Sequence, residues 1–163
     1  MDTVARRPKK GEEVEVAVET IDRRGRALGE TEGHPIALTR GIPGDRVRAR
    51  VTKRRRAELQ GVPLELLERG PDHVDARCVH ADSCGGCRFQ DLAYEAQLEL
   101  LGGHISQALA DAFVPLSGVD PVIGCPVPWN YRNKMELSFG AIRWVEEDEP
   151  EGVERDFALG FHA

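Results

Sequence analysis

Apolar and charged residues alternate along much of the first half of the chain. Valine alternates with glutamate over residues 13–19, and arginine alternates with valine or alanine over residues 46–51. This period of two is typical of strands with one buried face. Glycine-rich turns separate the strands, with a predicted hairpin tip at residues 32–34, and a further strand pair is predicted across residues 57–68. Four or five short strands in about 60 residues predict a small OB-like barrel over residues 11–68.

The second half of the chain combines a helical pattern with loops and short strands. Apolar residues recur at helical spacing over residues 91–113, and Asp91 is the expected N-cap. Residues 135–139 alternate like a strand, and residues 157–163 begin another. The predicted fold class is therefore α+β and mainly β. Its predicted parts are a basic tail (1–10), the barrel (11–68), a cysteine loop with its helix (69–115) and part of a truncated, β-rich central domain (116–163).

The net charge of −6 is unevenly distributed. Residues 1–77 carry a net charge of +3 and residues 78–163 a net charge of −9. A local basic face matters more for nucleic-acid binding than the total charge. No apolar run approaches the roughly 18–20 residues that span a bilayer, and no apolar segment follows the basic first ten residues as a secretory signal requires. We therefore expect a cytoplasmic protein without a membrane segment.

Seven cationic side chains lie within residues 46–56, and they predict an RNA-binding surface. Alternating arginines on one strand face would lie about 6.6–6.8 Å apart, and such a stripe can follow a phosphate backbone without reading sequence. The alternative is a solvated charged strand face. A second candidate lies at residues 131–134, where an aromatic ring beside cations suits an unpaired base; the alternative is a tyrosine in the core. The candidate RNA-binding residues are Arg46, Arg48, Arg50, Lys53, Arg54, Arg55, Arg56, Tyr131, Arg132 and Lys134.

Three of the four cysteines, Cys78, Cys84 and Cys87, lie within ten residues. Thiolates that converge from a short loop suit an inorganic centre, and the two glycines between the last two cysteines let the backbone approach a bulky cluster. On spacing alone, an iron–sulfur cluster and a zinc site completed by His73 or His80 are close to even. Structurally idle thiols are the third interpretation.

Several stretches resemble, in the family's order, the TRAM-domain, iron–sulfur-containing RNA (uracil carbon-5) methyltransferases. Residues 11–30 and 40–56 resemble the TRAM barrel. Residues 68–100 resemble the cluster loop with its Cys-Gly-Gly-Cys motif and the helix after it. Residues 126–140 resemble the Tyr-Arg-Asn-Lys strand of the family's central domain, and residues 159–162 resemble its next strand. The chain is thus similar to the N-terminal portion of this family.

The resemblance implies that Cys78, Cys84 and Cys87 are three of the four ligands of a 4Fe–4S cluster, and that the fourth ligand follows Ala163. Cys125 lies where the family has no ligand and is interpreted as an incidental thiol. The implied partner is RNA, ribosomal rather than transfer RNA.

The family binds S-adenosylmethionine and carries its catalytic cysteine in a C-terminal domain. No glycine-rich cofactor motif occurs in this chain. We therefore expect no catalytic residue here, and S-adenosylmethionine only for a full-length protein. Two other functions stay open: a stand-alone RNA-binding module with a structural zinc or iron–sulfur site, and a redox sensor with a labile cluster.

Overall fold

The computed structural model describes residues 6–81, 84–115, 118–145 and 149–161. The predicted fold class is confirmed, because the structure is mainly β, with a closed five-stranded barrel and one helix. Residues 1–5 of the predicted basic tail and residues 162–163 of the last predicted strand lie outside the described residues. The elements are β1 (Glu13–Ile21), β2 (Ala27–Thr31), β3 (His34–Leu38), β4 (Arg46–Arg54), β5 (Leu59–Glu68), α1 (Tyr94–Asp111), β6 (Ser138–Gly140) and β7 (Ala158–Gly160).

The five N-terminal strands close into a barrel in the order β1-β2-β3-β5-β4. Neighbouring strands are antiparallel, with the exception of β3 and β5. These two pair in parallel over a short stretch, from Ile36 opposite Leu59 to Leu38 opposite Gly61. The barrel therefore closes at a short parallel seam.

The apolar positions of the alternating strands fill the barrel, as predicted. Val47, Ala49 and Val51 of β4 are at most 3% exposed, whereas the arginines between them point to solvent. Burial of a valine- or leucine-sized side chain contributes roughly 1.5–3 kcal/mol relative to leaving it exposed. The core cluster is completed by Val16, Val18, Ala27, Ile36, Leu38 and Leu59.

The β2–β3 hairpin turns at the predicted place. Glu32 and Gly33 have φ values of 49° and 79°, the left-handed pair that a tight two-residue hairpin requires. The strand pair predicted across residues 57–68 is wrong, because this segment is the single strand β5. Two register shifts against β4 lie beside Gly61 and Pro63, and such bulges are common sites for glycine and proline in a strand.

The helix is shorter than predicted and begins differently. It runs over Tyr94–Asp111, after an N-cap at Ala93 that makes no side-chain cap. The prediction of Asp91 as the N-cap is wrong: its carboxylate is buried and forms an ion pair with Arg40, with 2.7 Å between Nη2 and Oδ2. Gln97 fixes the entry to the helix instead, because its Nε2 donates to the carbonyl oxygen of Leu92 at 2.8 Å.

The helix and the loop before it pack against the barrel. Leu92 forms a second small core with Ile21 and Ile42. His104 Nε2 on the helix donates to the carbonyl oxygen of Ile21 at 2.7 Å. The cysteine loop is thereby held beside the barrel wall.

The chain after the helix is mostly extended. Strands β6 and β7 form a two-stranded antiparallel sheet, in which Phe139 and Phe157 pack with ring centroids 5.6 Å apart. The strand predicted at residues 135–139 is formed only from Ser138 onward, because only three residues find partners in β7. Within the four described ranges, no helix has the length and apolar character that a membrane crossing requires.

Candidate nucleic-acid interface and cysteine loop

The three alternating arginines of β4 are exposed, as predicted, but they are paired with glutamates of the neighbouring strands. Arg46 Nη2 lies 2.9 Å from Glu15 Oε2, and Arg48 Nη1 lies 2.9 Å from Glu65 Oε2. Arg50 Nη2 lies 3.2 Å from Oε1 of Glu13 on β1. The antiparallel register brings these charges together across the strands. The positive charge of this stripe is therefore locally compensated.

The other four predicted cations lie at the end of β4 and in the turn to β5. Lys53, Arg54, Arg55 and Arg56 are exposed, and none of their side chains forms an ion pair within the described part of the chain. Arg7 adds a fifth cation, because its guanidinium donates to the backbone oxygen of Arg55. We call these five residues the turn cluster. Unlike the three alternating arginines of β4, the side chains of this cluster have no carboxylate partner among the described residues.

The turn cluster is flanked by an ion-pair network at the base of the β1–β2 loop. Arg26 lies 2.8 Å from Asp22 through Nε and 2.7 Å from Glu58 through Nη1. Burial raises the pKa of both carboxyl groups, but hydrogen bonds outweigh it and hold each pKa below its ordinary value. For Asp22 the donors are Arg26 and the amide of Arg24, and for Glu58 they are Arg26 and Gln60.

The second predicted RNA-contact region is exposed. Tyr131 is 70% exposed, so the described structure does not place it in a core. Arg132 is also exposed, and Lys134 Nζ lies 2.8 Å from Glu136 Oε1. Trp129 packs under the guanidinium of Arg77, 5.3 Å from the ring centroid.

The cysteine loop presents thiols without bringing three of them together. Cys78 and Cys87 are exposed, Cys84 is half-buried, and all are free thiols. In the ranges that the structure describes, no three Cys, His, Asp or Glu side chains are grouped so as to hold a metal ion. The donor chemistry fits an iron–sulfur cluster, because soft thiolates are its usual ligands. The Gly86 amide also donates to Cys84 Sγ at 3.3 Å.

His73, one of the two histidines considered for a zinc site, has another partner. Its Nδ1 lies 2.9 Å from both carboxylate oxygens of Asp45, and this carboxylate is 2% exposed. Asp45 also accepts from the Gly70 amide at 2.8 Å and from the Ile42 amide at 3.2 Å. The Asp45–His73 contact therefore fastens the start of the cysteine loop to the barrel through Nδ1 of the histidine.

Sequence reasoning missed the residues that hold the loop in place. Arg40 forms an ion pair with Asp91 at the far end of the loop and also donates to the backbone oxygen of Ala81. Asp45 holds the near end. The only sequence signal for Asp45 is its position directly after the Pro43-Gly44 turn, which does not reveal a partner so far along the chain.

Residues 7–64 match the family model for the TRAM domain. The chain is 36% identical over 137 residues to an uncharacterized RNA methyltransferase of Clostridium tetani, a match covering 83% of this chain and 30% of the relative. It is 37% identical over 134 residues to one of Caldanaerobacter subterraneus, covering 82% and 30%. With one of Chlorobaculum tepidum it is 32% identical over 168 residues, covering 96% and 34%.

The closed barrel and the family match together define the class of the first part of the chain: residues 7–64 form a TRAM domain. Over most of its length the chain is similar to the three uncharacterized RNA methyltransferases named above, and it spans about a third of their length. A match of this extent is consistent with the N-terminal portion that the sequence motifs predict.

Proposed function

We propose that this chain is the RNA-binding and 4Fe–4S-binding part of an S-adenosylmethionine-dependent uridine carbon-5 RNA methyltransferase that acts on ribosomal RNA. The single observation that carries the RNA-binding part is the turn cluster, a group of uncompensated cations on a TRAM barrel. The family name of the relatives, RNA methyltransferase, supports the same partner.

The turn cluster suits a phosphate backbone better than the arginine stripe of β4 does. Each arginine of the stripe must give up a glutamate partner to contact a phosphate, whereas Arg54, Arg55 and Arg56 bring their full charge to the contact. Neutralisation of phosphates by such side chains releases counterions and makes binding strongly salt-dependent. Arginine also stacks on the unpaired bases through which most RNA sequences are recognised.

The proposed cluster ligands are Cys78, Cys84 and Cys87. Three observations support them: the thiols are free, their loop is tied to the barrel at both ends, and the Gly86 amide points at Cys84 Sγ. Backbone amides that donate to sulfur are among the contacts that tune iron–sulfur centres. Among the described residues, His73 is not grouped with two further Cys, His, Asp or Glu side chains that could hold a metal ion. The proposed role of the cluster is structural: it would fix the loop beside the barrel.

Methyl transfer is proposed for the longer protein as a whole. The relatives are about three times the length of this chain, and we assign the S-adenosylmethionine site and the catalytic residues to the portion outside the match.

The RNA proposal is tested with two variants that remove the same charge. One replaces Arg54, Arg55 and Arg56 with serine, and the other does the same to Arg46, Arg48 and Arg50. We expect the first variant to bind a labelled single-stranded RNA at least about tenfold more weakly, with a salt slope smaller by about 2–3. Fluorescence anisotropy between roughly 50 and 200 mM salt measures both quantities.

The second variant is the matched control, and we expect it to keep most of the RNA affinity. A larger loss of RNA affinity in the control than in the turn-cluster variant would assign RNA binding to the β4 stripe instead. Equal RNA affinity of the wild-type chain and both folded variants would remove the barrel from the proposal.

A further inference from the structure

A surface groove of about 550 Å³ separates the barrel from the cysteine loop. Its barrel wall follows the end of the parallel β3–β5 seam and includes Leu38, Thr52 and Gln60. Its opposite wall is the cysteine loop, with Cys84, Cys87 and Arg88. The volume lies within the range of about 300–1,000 Å³ that is usual for sites of nucleotide-sized ligands.

Every Lys, Arg, Asp or Glu among the described residues of this lining is basic. Four basic side chains line it, and no Asp or Glu does so among the described residues, although the chain as a whole has a net charge of −6. Arg26 and Arg40 are already held by carboxylates that lie outside the lining. Lys53 and Arg88 have no carboxylate partner in the part of the chain that the structure describes.

Lys53 and Arg88 belong to opposite walls of the groove. Lys53 is contributed by β4 and is also a member of the turn cluster, whereas Arg88 directly follows Cys87. The Arg88 side chain is held in place: Nη1 donates to the backbone oxygen of Arg24 at 3.2 Å, and Cδ lies close against Gly25. A Cβ on Gly25 would lie 2.7 Å from Cδ of Arg88, so a side chain at position 25 would require Arg88 to shift.

We propose that the groove binds a phosphodiester unit of a single-stranded RNA, with Lys53 and Arg88 contacting the phosphate from the two walls. The proposal rests on the proposed RNA-binding function and extends it. An RNA strand that contacts the turn cluster reaches the groove through Lys53 and then lies over the cysteine loop. Val62 and Pro63, two half-buried apolar residues of the lining, offer a surface for the sugar or base. A free nucleotide also carries a phosphate group and is the alternative ligand of this groove.

The first test reverses one charge in the groove and one outside it. Arg88→Glu should weaken binding of a single-stranded RNA by roughly fivefold or more and reduce the salt slope by about 1. Arg155→Glu, an exposed site outside the groove with the same charge change, is the matched control and should stay close to wild type. Unchanged affinity of Arg88→Glu, together with weakened binding of the turn-cluster variant, would overturn the groove assignment and leave the proposed function standing. If neither Arg88→Glu nor the turn-cluster variant weakens RNA binding, both the groove proposal and the proposed RNA-binding function fail.

The second test needs no substitution and uses the chain without iron. Cys84 and Cys87 line the groove, whereas Cys125 is exposed outside it and serves as the internal control. Saturating single-stranded RNA should slow alkylation of the two groove thiols several-fold and leave the rate at Cys125 unchanged, as measured by peptide mass spectrometry. Equal rates with and without RNA would overturn the proposal. Equal protection by adenosine monophosphate alone would assign the groove to a free nucleotide and refute the RNA assignment.

Discussion

Arg48 Nη1 lies 2.9 Å from Oε2 of Glu65 on the neighbouring strand. We expect Arg48→Glu to lower the free energy of unfolding, because it places a like charge opposite Glu65. The side chains are about half exposed, so the loss should stay under about 1 kcal/mol. Urea denaturation measures it, and the swapped pair Arg48→Glu with Glu65→Arg should recover most of the loss. A swapped pair no more stable than the single variant would show that the contact contributes nothing.

Removal of the Asp45 carboxylate should destabilise the chain far more than loss of a surface charge. Asp45→Ala leaves the amides of Ile42 and Gly70 and the ring of His73 without their buried acceptor. We expect a loss of about 2–4 kcal/mol in the free energy of unfolding. Asp75→Ala is the control, because Asp75 is an exposed carboxylate whose ion pair among the described residues is with the exposed Arg69. Similar denaturation midpoints for the two variants would contradict the anchoring role of Asp45.

The acid stability of the barrel should depend on Arg26. Asp22 and Glu58 have pKa values in the folded chain below their ordinary values of 3.8 and 4.5, through hydrogen bonds that outweigh burial. A carboxyl group with a depressed pKa binds protons more weakly when folded, so its contribution is complete above the ordinary pKa and is lost as the pH falls through the folded value.

The free energy of unfolding should therefore decrease as the pH falls below about 4.5. Arg26→Met removes the guanidinium that donates to both carboxyl groups and should reduce this decrease, although the backbone amides of Arg24 and Arg26 still donate to Asp22. Chemical denaturation of wild type and variant at a series of pH values down to about 3 measures the difference. Parallel pH profiles for the two proteins would show that Arg26 does not depress these pKa values.

The barrel was predictable because its determinants are local. Val47, Ala49 and Val51 alternate with charged residues, and a period of two fixes which face is buried without knowledge of the partner strand. The pairing of the arginines of this strand with glutamates was not predictable. The pairing depends on the register with β1, which places Glu13 and Glu15 opposite Arg50 and Arg48.

Long-range contacts also explain the errors in the loop and helix. Asp91 has the residue type and position of an N-cap, but Arg40, 51 residues earlier, takes its carboxylate. The groove depends on the same kind of contact, since Lys53 and Arg88 are far apart in the sequence and Leu92, just before the helix, packs on Ile21 and Ile42 of the barrel. The cysteine spacing, by contrast, is visible in the sequence and predicts the type of donor without its geometry.

The cluster prediction distinguishes the three loop cysteines from the fourth. Anaerobic reconstitution with iron and sulfide, and with an added thiol to complete the ligand set, should load about four iron and four sulfide per chain. Serine at Cys78, Cys84 or Cys87 should each lower the bound iron, because every variant removes one thiolate. Cys125→Ser should load like wild type, since Cys125 Sγ is directed to the backbone oxygen of Val127 at 3.1 Å.

Far-ultraviolet circular dichroism of each variant separates loss of ligands from loss of fold. Stoichiometric zinc without sulfide in the protein as isolated would refute the iron–sulfur assignment and favour the zinc interpretation of the same thiols. Loss of iron from Cys125→Ser, in a chain that remains folded, would instead assign Cys125 to the cluster and refute its interpretation as an incidental thiol.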